Sequence, residues 1–225
     1  MLTGLREVDE ISHAGLEGLS LVLNRRTAVE AGDPLPINLS LDDLNLYPLL
    51  YWPIPPEHPD ISAEVRERVD EYLRQGGMIL FDTSDAGSAI PGRRRAGAGE
   101  LRLRELLHGV NLPPLEPIPD DHTLTRSFYL LQDFPGRWTG WPVWVDRPAP
   151  SVNDGVSSVI IGSHGWASAW ALDSFAMPMF PVVPGGERQR EIANRFGVNL
   201  VMYALTGNYK TDQVHIPALL ERLGQ

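Results

Sequence analysis

The residues with the best claim to chemistry lie in "RQGGMILFDTSDAG", residues 74–87, where the apolar run "MILF" leads straight into Asp82, Thr83, Ser84 and Asp85. A buried parallel strand delivers polar groups to the carboxyl edge of a sheet in this way, and open α/β folds hold their ligands at that edge. Three chemistries use such a strand end: an aspartyl phosphatase, a metal-ion-dependent adhesion site and a nucleophile elbow. The phosphatase pattern needs a second Asp where Ser84 stands, and the adhesion pattern D-x-S-x-S fails at Ala86. An elbow centred on Ser84 needs glycines where Asp82 and Ala86 stand. The residue types fit better as a strand cap, with Asp82 to Asp85 starting the next turn through Asx-type hydrogen bonds. Ligand or ion contact is the alternative. On the capping reading, Asp82→Asn and Ser84→Ala each cost no more than roughly 2 kcal/mol.

The histidines, His13, His58, His108, His122, His164 and His215, form no H-E-x-x-H or i, i+4 pair, so neither a metal nor a cofactor is expected. His122 follows "PDD", and His164 follows the apolar run of "SSVIIGSHGW". Placed at one sheet edge with Asp82, the two would make a polar site. A Ser163 nucleophile with His122 as base is conceivable, although no motif marks it. The ligand-binding candidates are therefore Asp82, Thr83, Ser84, Asp85, His122, Arg126, Ser163 and His164, and no residue is assigned a catalytic role. "GRRRAGAG" lacks the GKS ending of a P-loop and reads as a solvated loop, with anion binding by backbone amides and guanidinium groups as the alternative. Trp138, Trp141 and Trp144 suit packing over a hairpin or edge more than stacking on sugars or bases.

Composition narrows the function classes. No cysteine is present, which excludes thiolate nucleophiles, zinc–thiolate sites and disulfides. A net charge of −10 repels phosphate backbones, so nucleic acid is not an expected partner. Apolar stretches such as "LSLVL" and "VNLVMYAL" fall far short of the roughly 20 residues of a membrane helix, and no signal-like segment opens the chain. This segment is expected neither to insert into a membrane nor to direct its own export.

The elements that must position these residues alternate. Val8, Ile11, Leu19, Val22 and Leu23 predict an amphipathic helix over 7–29. A short strand is predicted at 36–41, a buried strand in "NLYPLLYWPI", and a helix capped by Ser62 that ends at Gly76 and Gly77. "MILFD" is the next strand, and the Gly- and Arg-rich residues 87–99 predict a mobile loop. A helix near Glu100 to Leu107 stops at Gly109. "NLPPLEPIPDD" reads as an extended connection into "HTLTRSFYLL", itself an extended segment, and "PVWVDR" and "SSVIIGS" as late strands. "MPMFPVVPGG" is a surface loop. The last long helix opens at Gly186 and stops at Gly207, followed by a short helix from Pro217 to Leu223. Helices and strands so spaced predict a three-layer α/β sandwich with a mostly parallel central sheet, its interior strands being "PLLYW", "MILFD" and "SVIIG".

Several segments together, "YPLLYWP", "LRQGGMILFDTSDAG", "PDDHTLTRSFYLLQDFPGRW", "DGVSSVIIGSHGWASAWA" and the stretch from "PGGERQREIANRF" to "IPALLERLG", resemble the C-terminal domain of long alpha-proteobacterial membrane proteins. Those proteins resemble the aerotolerance-regulator (Bat) region at their other end. The domain is in turn similar to the class I glutamine amidotransferase-like fold, trehalose-utilisation type, with a flavodoxin-like layering. The resemblance implies one amidotransferase-like domain over 1–225, excised from a longer chain tethered to the bacterial inner membrane, with the periplasmic side slightly favoured. It also implies a binding role toward the rest of that chain, envelope proteins or a small ligand. True amidotransferases carry a nucleophilic cysteine in the turn after the "MILFD" strand; here that turn is "DTSDAG", so no catalytic residue transfers. A cysteine-independent hydrolase built from Asp82 or Ser163 with His122 or His164 is the alternative.

Overall fold

The computed structural model describes residues 1–88, 96–147 and 156–223, with side-chain detail for all of these but Ser88 and 207–223. Five strands, β1 (Leu49–Pro53), β2 (Met78–Asp82), β3 (Leu115–Pro117), β4 (Trp144–Asp146) and β5 (Val159–Gly162), form one open sheet in the order β1-β2-β5-β4-β3. β1, β2 and β5 run parallel, while β4 and β3 add antiparallel pairings at one side.

Strand alternation divides the core into two layers. Tyr51, Leu80 and Ile160 point to the face covered by α1 (Arg6–Arg26), α4 (Trp166–Trp170) and α5 (Gly186–Leu223). Leu50, Trp52, Ile79, Phe81 and Val159 point to the face covered by α2 (Ala63–Arg74) and α3 (Ala98–Leu106). With helices on both faces, every residue of β2 is buried, hence the uninterrupted apolar run. α2 forms as its sequence predicts: the Ser62 hydroxyl accepts from Val65 N at 3.2 Å, Val65, Val69, Tyr72 and Leu73 face inward, and Gly76 leaves the helix at φ +90°.

α1 packs differently from its apolar stripe. Gly15 and Gly18 lie so close to α4 that an added Cβ would sit 2.3 Å from the Ala167 carbonyl oxygen and 2.0 Å from that of Trp170. Here glycine serves close backbone approach rather than flexibility.

Five expectations need correction. β1 is an edge strand, because apolar residues on both faces report covering helices and not a neighbour on each side. Residues 36–41 form no strand: Asn38 N donates to Asp42 Oδ2 at 2.7 Å and Ser40 N to Asn38 Oδ1 at 2.9 Å, and these local bonds make a turn. "HTLTRSFYLL" opens with a 3-10 turn, Thr123–Thr125, because His122 Nδ1 accepts from Leu124 N. The proline-flanked β3 occupies the sheet's other edge, inside what reads as a connection, where its Pro117 is tolerated. α5 continues past Gly207 as one helix, since a helical glycine costs only about 1 kcal/mol relative to alanine. The expected loop over 87–99 falls mainly on residues 89–95, outside the described residues; its flanks fold as a 3-10 turn, Asp85–Ser88, and the start of α3.

Because a methyl group at Gly18 would meet backbone that cannot swing aside, Gly18→Val should lower unfolding free energy by about 3 kcal/mol. Gly32→Ala, which meets open space, should be near neutral. Urea midpoints at an unchanged m-value measure both.

Candidate functional site

The carboxyl edge of β2 and β5 has a defined topology. The chain leaves β2 toward α3 on one face of the sheet and leaves the adjacent, parallel β5 toward α4 on the other. Loops that diverge to opposite faces open a crevice between neighbouring strand ends, the position where open α/β sheets receive ligands.

Asp82 ends β2 with its side chain turned inward, 1% exposed. Its Oδ1 accepts from the backbone N–H groups of Ser84 and Gly165, both at 3.0 Å. Its Oδ2 accepts from Trp166 N at 2.6 Å and from the Tyr51 hydroxyl at 3.0 Å. With the Ser84 hydroxyl, 3.4 Å from Oδ1, five donors from β1, the β2 turn and the start of α4 thus converge on one carboxylate. Burial pushes its pKa up, opposed by those hydrogen bonds, and burial beside Asp82 drives the Tyr51 hydroxyl well above its usual range. Asp85 performs the equivalent task for α3, accepting from Gly99 N at 2.9 Å and Glu100 N at 2.7 Å. Thr83 is buried and donates its N–H to the Gly162 carbonyl at 2.9 Å. Ser84 is exposed with φ +53°, a left-handed conformation unusual for serine, held by the Asp82 bonds.

Ser163 is half-buried and accepts from Ala86 N at 3.0 Å through its carbonyl. His164 follows it, 2% exposed and stacked on Trp166 at 4.8 Å. Nε2 lies 3.1 Å from the Trp141 carbonyl, which can only accept, so Nε2 carries the proton. Nδ1 is buried without a partner, and burial lowers the imidazole pKa to about 4. His164 is a neutral ring at physiological pH.

His122 is elsewhere. Its Nε2 meets Ser157 Oγ at 3.1 Å, and Ser157 precedes β5 whereas Ser163 follows it. Six residues of extended chain separate the two serines by roughly 20 Å, so the expected convergence of Asp82, His122 and His164 does not occur. The His122–Ser157 pair has the elements of an activated serine but not its setting. Ser157 is fully buried, its hydroxyl donates to the Asp146 carbonyl at 2.8 Å, and its N–H donates to the Tyr203 hydroxyl at 2.6 Å. Arg126 is exposed just after the Thr123–Thr125 turn, at the His122 end.

Reading the sequence misses Arg137. Its guanidinium lies 5.2 Å from the Trp138 ring centroid and 4.9 Å from that of Phe180, and its N–H donates to the Gly165 carbonyl at 3.3 Å. No local spacing in the sequence ties Arg137 to Phe180 or Gly165. Trp138 packs over Gly87, and Trp138, Trp141 and Trp144 are each partly exposed. An open depression of about 570 Å³ between α2 and α3, lined by Arg66, Leu101, Arg104, Glu105 and His108, contains none of the candidates. Among the described residues no three His, Asp or Glu side chains gather as metal ligands.

The count of acceptors revises the expectation for Asp82. An asparagine at this position would retain one acceptor oxygen and turn an amide donor toward N–H groups, so Asp82→Asn should cost about 3–5 kcal/mol, measured by urea unfolding. Ser84→Ala should stay within about 1 kcal/mol. For His164 the depressed pKa means that the folded state binds fewer protons than the unfolded chain. Stability is therefore complete above about pH 6.5 and falls, by about 3 kcal/mol from this residue, as pH drops toward 4. His58 and His122, also lowered by burial, act in the same direction, while the raised Asp82 and Asp146 oppose them as they take up protons. His164→Gln should flatten the acid limb of a stability–pH profile; an unchanged slope would remove His164 as its cause.

No helix among the described residues is long and apolar enough to cross a membrane. No curated protein matches the chain. Residues 1–205 match the family described as domain of unknown function DUF4159. That match spans all five strands and both core layers, and the chain belongs to this family.

Proposed function

We propose that this chain is a non-catalytic binding module whose ligand or partner enters the crevice at the carboxyl ends of β2 and β5. The observation that carries the reading is the Asp82 carboxylate: all of its hydrogen bonds are internal, and the group best placed by sequence for chemistry is spent on joining β1, β2 and α4. A general base or nucleophile needs a reachable atom and a matched partner within hydrogen-bonding distance. Neither Asp82, at 1% exposure, nor His164, at 2%, offers one. The alternative, a cysteine-independent hydrolase, keeps only Ser163 near the edge, without His122.

The wider reading is that the module is a single amidotransferase-like, flavodoxin-like domain that has lost the nucleophilic cysteine. It belongs to a longer chain with a Bat-like region, tethered to the inner membrane with this domain on the periplasmic side. Support comes from the segment resemblance, the parallel β1-β2-β5 core with helices on both faces, and a net charge that disfavours nucleic acid. The partners in this reading are the rest of its own chain, envelope proteins or a small ligand.

A photo-reactive amino acid placed at Ser84 should give a light-dependent adduct in membranes carrying the full-length protein, while the same probe at Leu130, 86% exposed but far from the crevice in sequence, should not. The purified chain should show no glutaminase or esterase turnover. Hydrolysis abolished by Ser163→Ala in a folded protein would establish the enzyme instead.

A further inference from the structure

The chain between α4 and α5 carries an apolar surface that the crevice does not use. Residues 174–186, "SFAMPMFPVVPGG", contain no charged side chain. Phe175 is 84% exposed and Met177 60%, and Met179 and Val183 are exposed beside them. Single exposed apolar residues are ordinary, whereas a run of this kind marks a contact.

Hydrogen bonds hold the loop in place. Asp173 Oδ1 accepts from the backbone N–H groups of Phe175 and Met177, both at 2.9 Å, and Ala176 N donates to the Asp173 carbonyl at 2.9 Å. Met179 N donates to the Ala171 carbonyl at 3.0 Å, and Pro178 has no N–H. Every backbone donor from Phe175 to Met179 is therefore bonded within the chain or absent. At the base of the loop, the buried Arg190 donates to the Phe180 carbonyl at 2.7 Å, and Val183 N donates to the Arg137 carbonyl at 2.8 Å. The tip asks no acceptor of its surroundings, and its apolar side chains are presented from a fixed backbone.

These features select the occupant. A stable protein interface engages about 800 Å² and roughly 20–30 residues on each side, more than a loop of this length supplies. A strand-adding partner needs free N–H groups, which the tip lacks, and a proline-reading groove needs a straight polyproline helix, whereas the chain bends at Met179 and Phe180. Hydrocarbon demands what the tip has: apolar side chains, no charge and no unsatisfied donor.

We propose that the loop from Leu172 to Val183 is an interfacial anchor that seats Phe175 and Met177 at the acyl boundary of a lipid surface. The contact lies on the membrane without spanning it, in keeping with the absence of a membrane-crossing helix among the described residues. Charge sets which lipid is preferred. Asp173 borders the uncharged run on one side and Glu187 with Arg188 on the other, and the chain carries −10 overall, so no electrostatic attraction draws it to an anionic surface. The anchor favours zwitterionic lipid, and it is independent of what enters the crevice.

The test is flotation of the intact chain with vesicles of phosphatidylcholine and, separately, of phosphatidylcholine and phosphatidylglycerol in equal parts. Binding to the first should be at least as strong as to the second, and little changed between low and high salt. Phe175→Ser combined with Met177→Ser should weaken partitioning by about tenfold or more, because both side chains leave water on binding. Leu130→Ser, which removes an equally exposed apolar side chain elsewhere, should match the wild type. All these positions are exposed, so the variants should fold, which equal urea midpoints check. Absence of binding to phosphatidylcholine overturns the anchor, as does undiminished binding of the folded double variant. Binding confined to the anionic vesicles and lost in salt assigns the contact to cations, and a dimer that the double variant dissolves, without any vesicle binding, assigns the loop to a second copy; either result overturns it.

Discussion

One buried carboxylate organises the carboxyl edge of the sheet. Asp82 receives a hydroxyl from β1 and three backbone N–H groups from its own turn and the first residues of α4. Removing a carboxylate from water is expensive, and such a group persists only where its lone pairs are filled by good donors. That condition sets the geometry around it: Ser84 takes a left-handed turn, Gly165 opens α4 in the same conformation, and α4 is brought close enough for the glycine face of α1.

The same logic recurs at the other end of β5. Asp146 accepts from Val159 N at 2.8 Å, and Ser157 joins His122, Asp146 and Tyr203 in a closed network. Asn199 ties α5 to the chain after β3, accepting from Tyr129 N and donating to the Leu124 and Tyr129 carbonyls. Polar side chains that resemble catalytic groups in type act here as fasteners between elements whose loops carry little secondary structure. A satisfied network of this kind specifies one arrangement of an otherwise irregular layer.

How much of this is legible in the chain depends on the range of the interaction. α2, with Ser62 as cap and Gly76 as stop, is written entirely in local residues, and so is the burial of "MILFD". The role of Asp85 as a capping acid is legible in type, but its target, α3, lies 14 and 15 residues away. Gly15 and Gly18 read as gaps in an apolar stripe, because their meaning is carried by the backbone of α4, more than 140 residues distant. His122 and His164 read as neighbours of strands, which they are, but as sharing one end, since sequence order does not say which end of β5 each approaches. Arg137 is invisible for the same reason: its aromatic partner Phe180 is 43 positions away.

The central claim, that Asp82 is a filled structural acceptor rather than a reactive group, is tested most directly by native-state amide hydrogen exchange at Gly165 and Trp166. If both N–H groups are bound to the buried carboxylate, they should exchange only through a cooperative opening, with protection comparable to the amides of β2. Exchange at the rate of exposed loop amides would mean that the carboxylate is free to meet solvent and substrate, and would contradict the account.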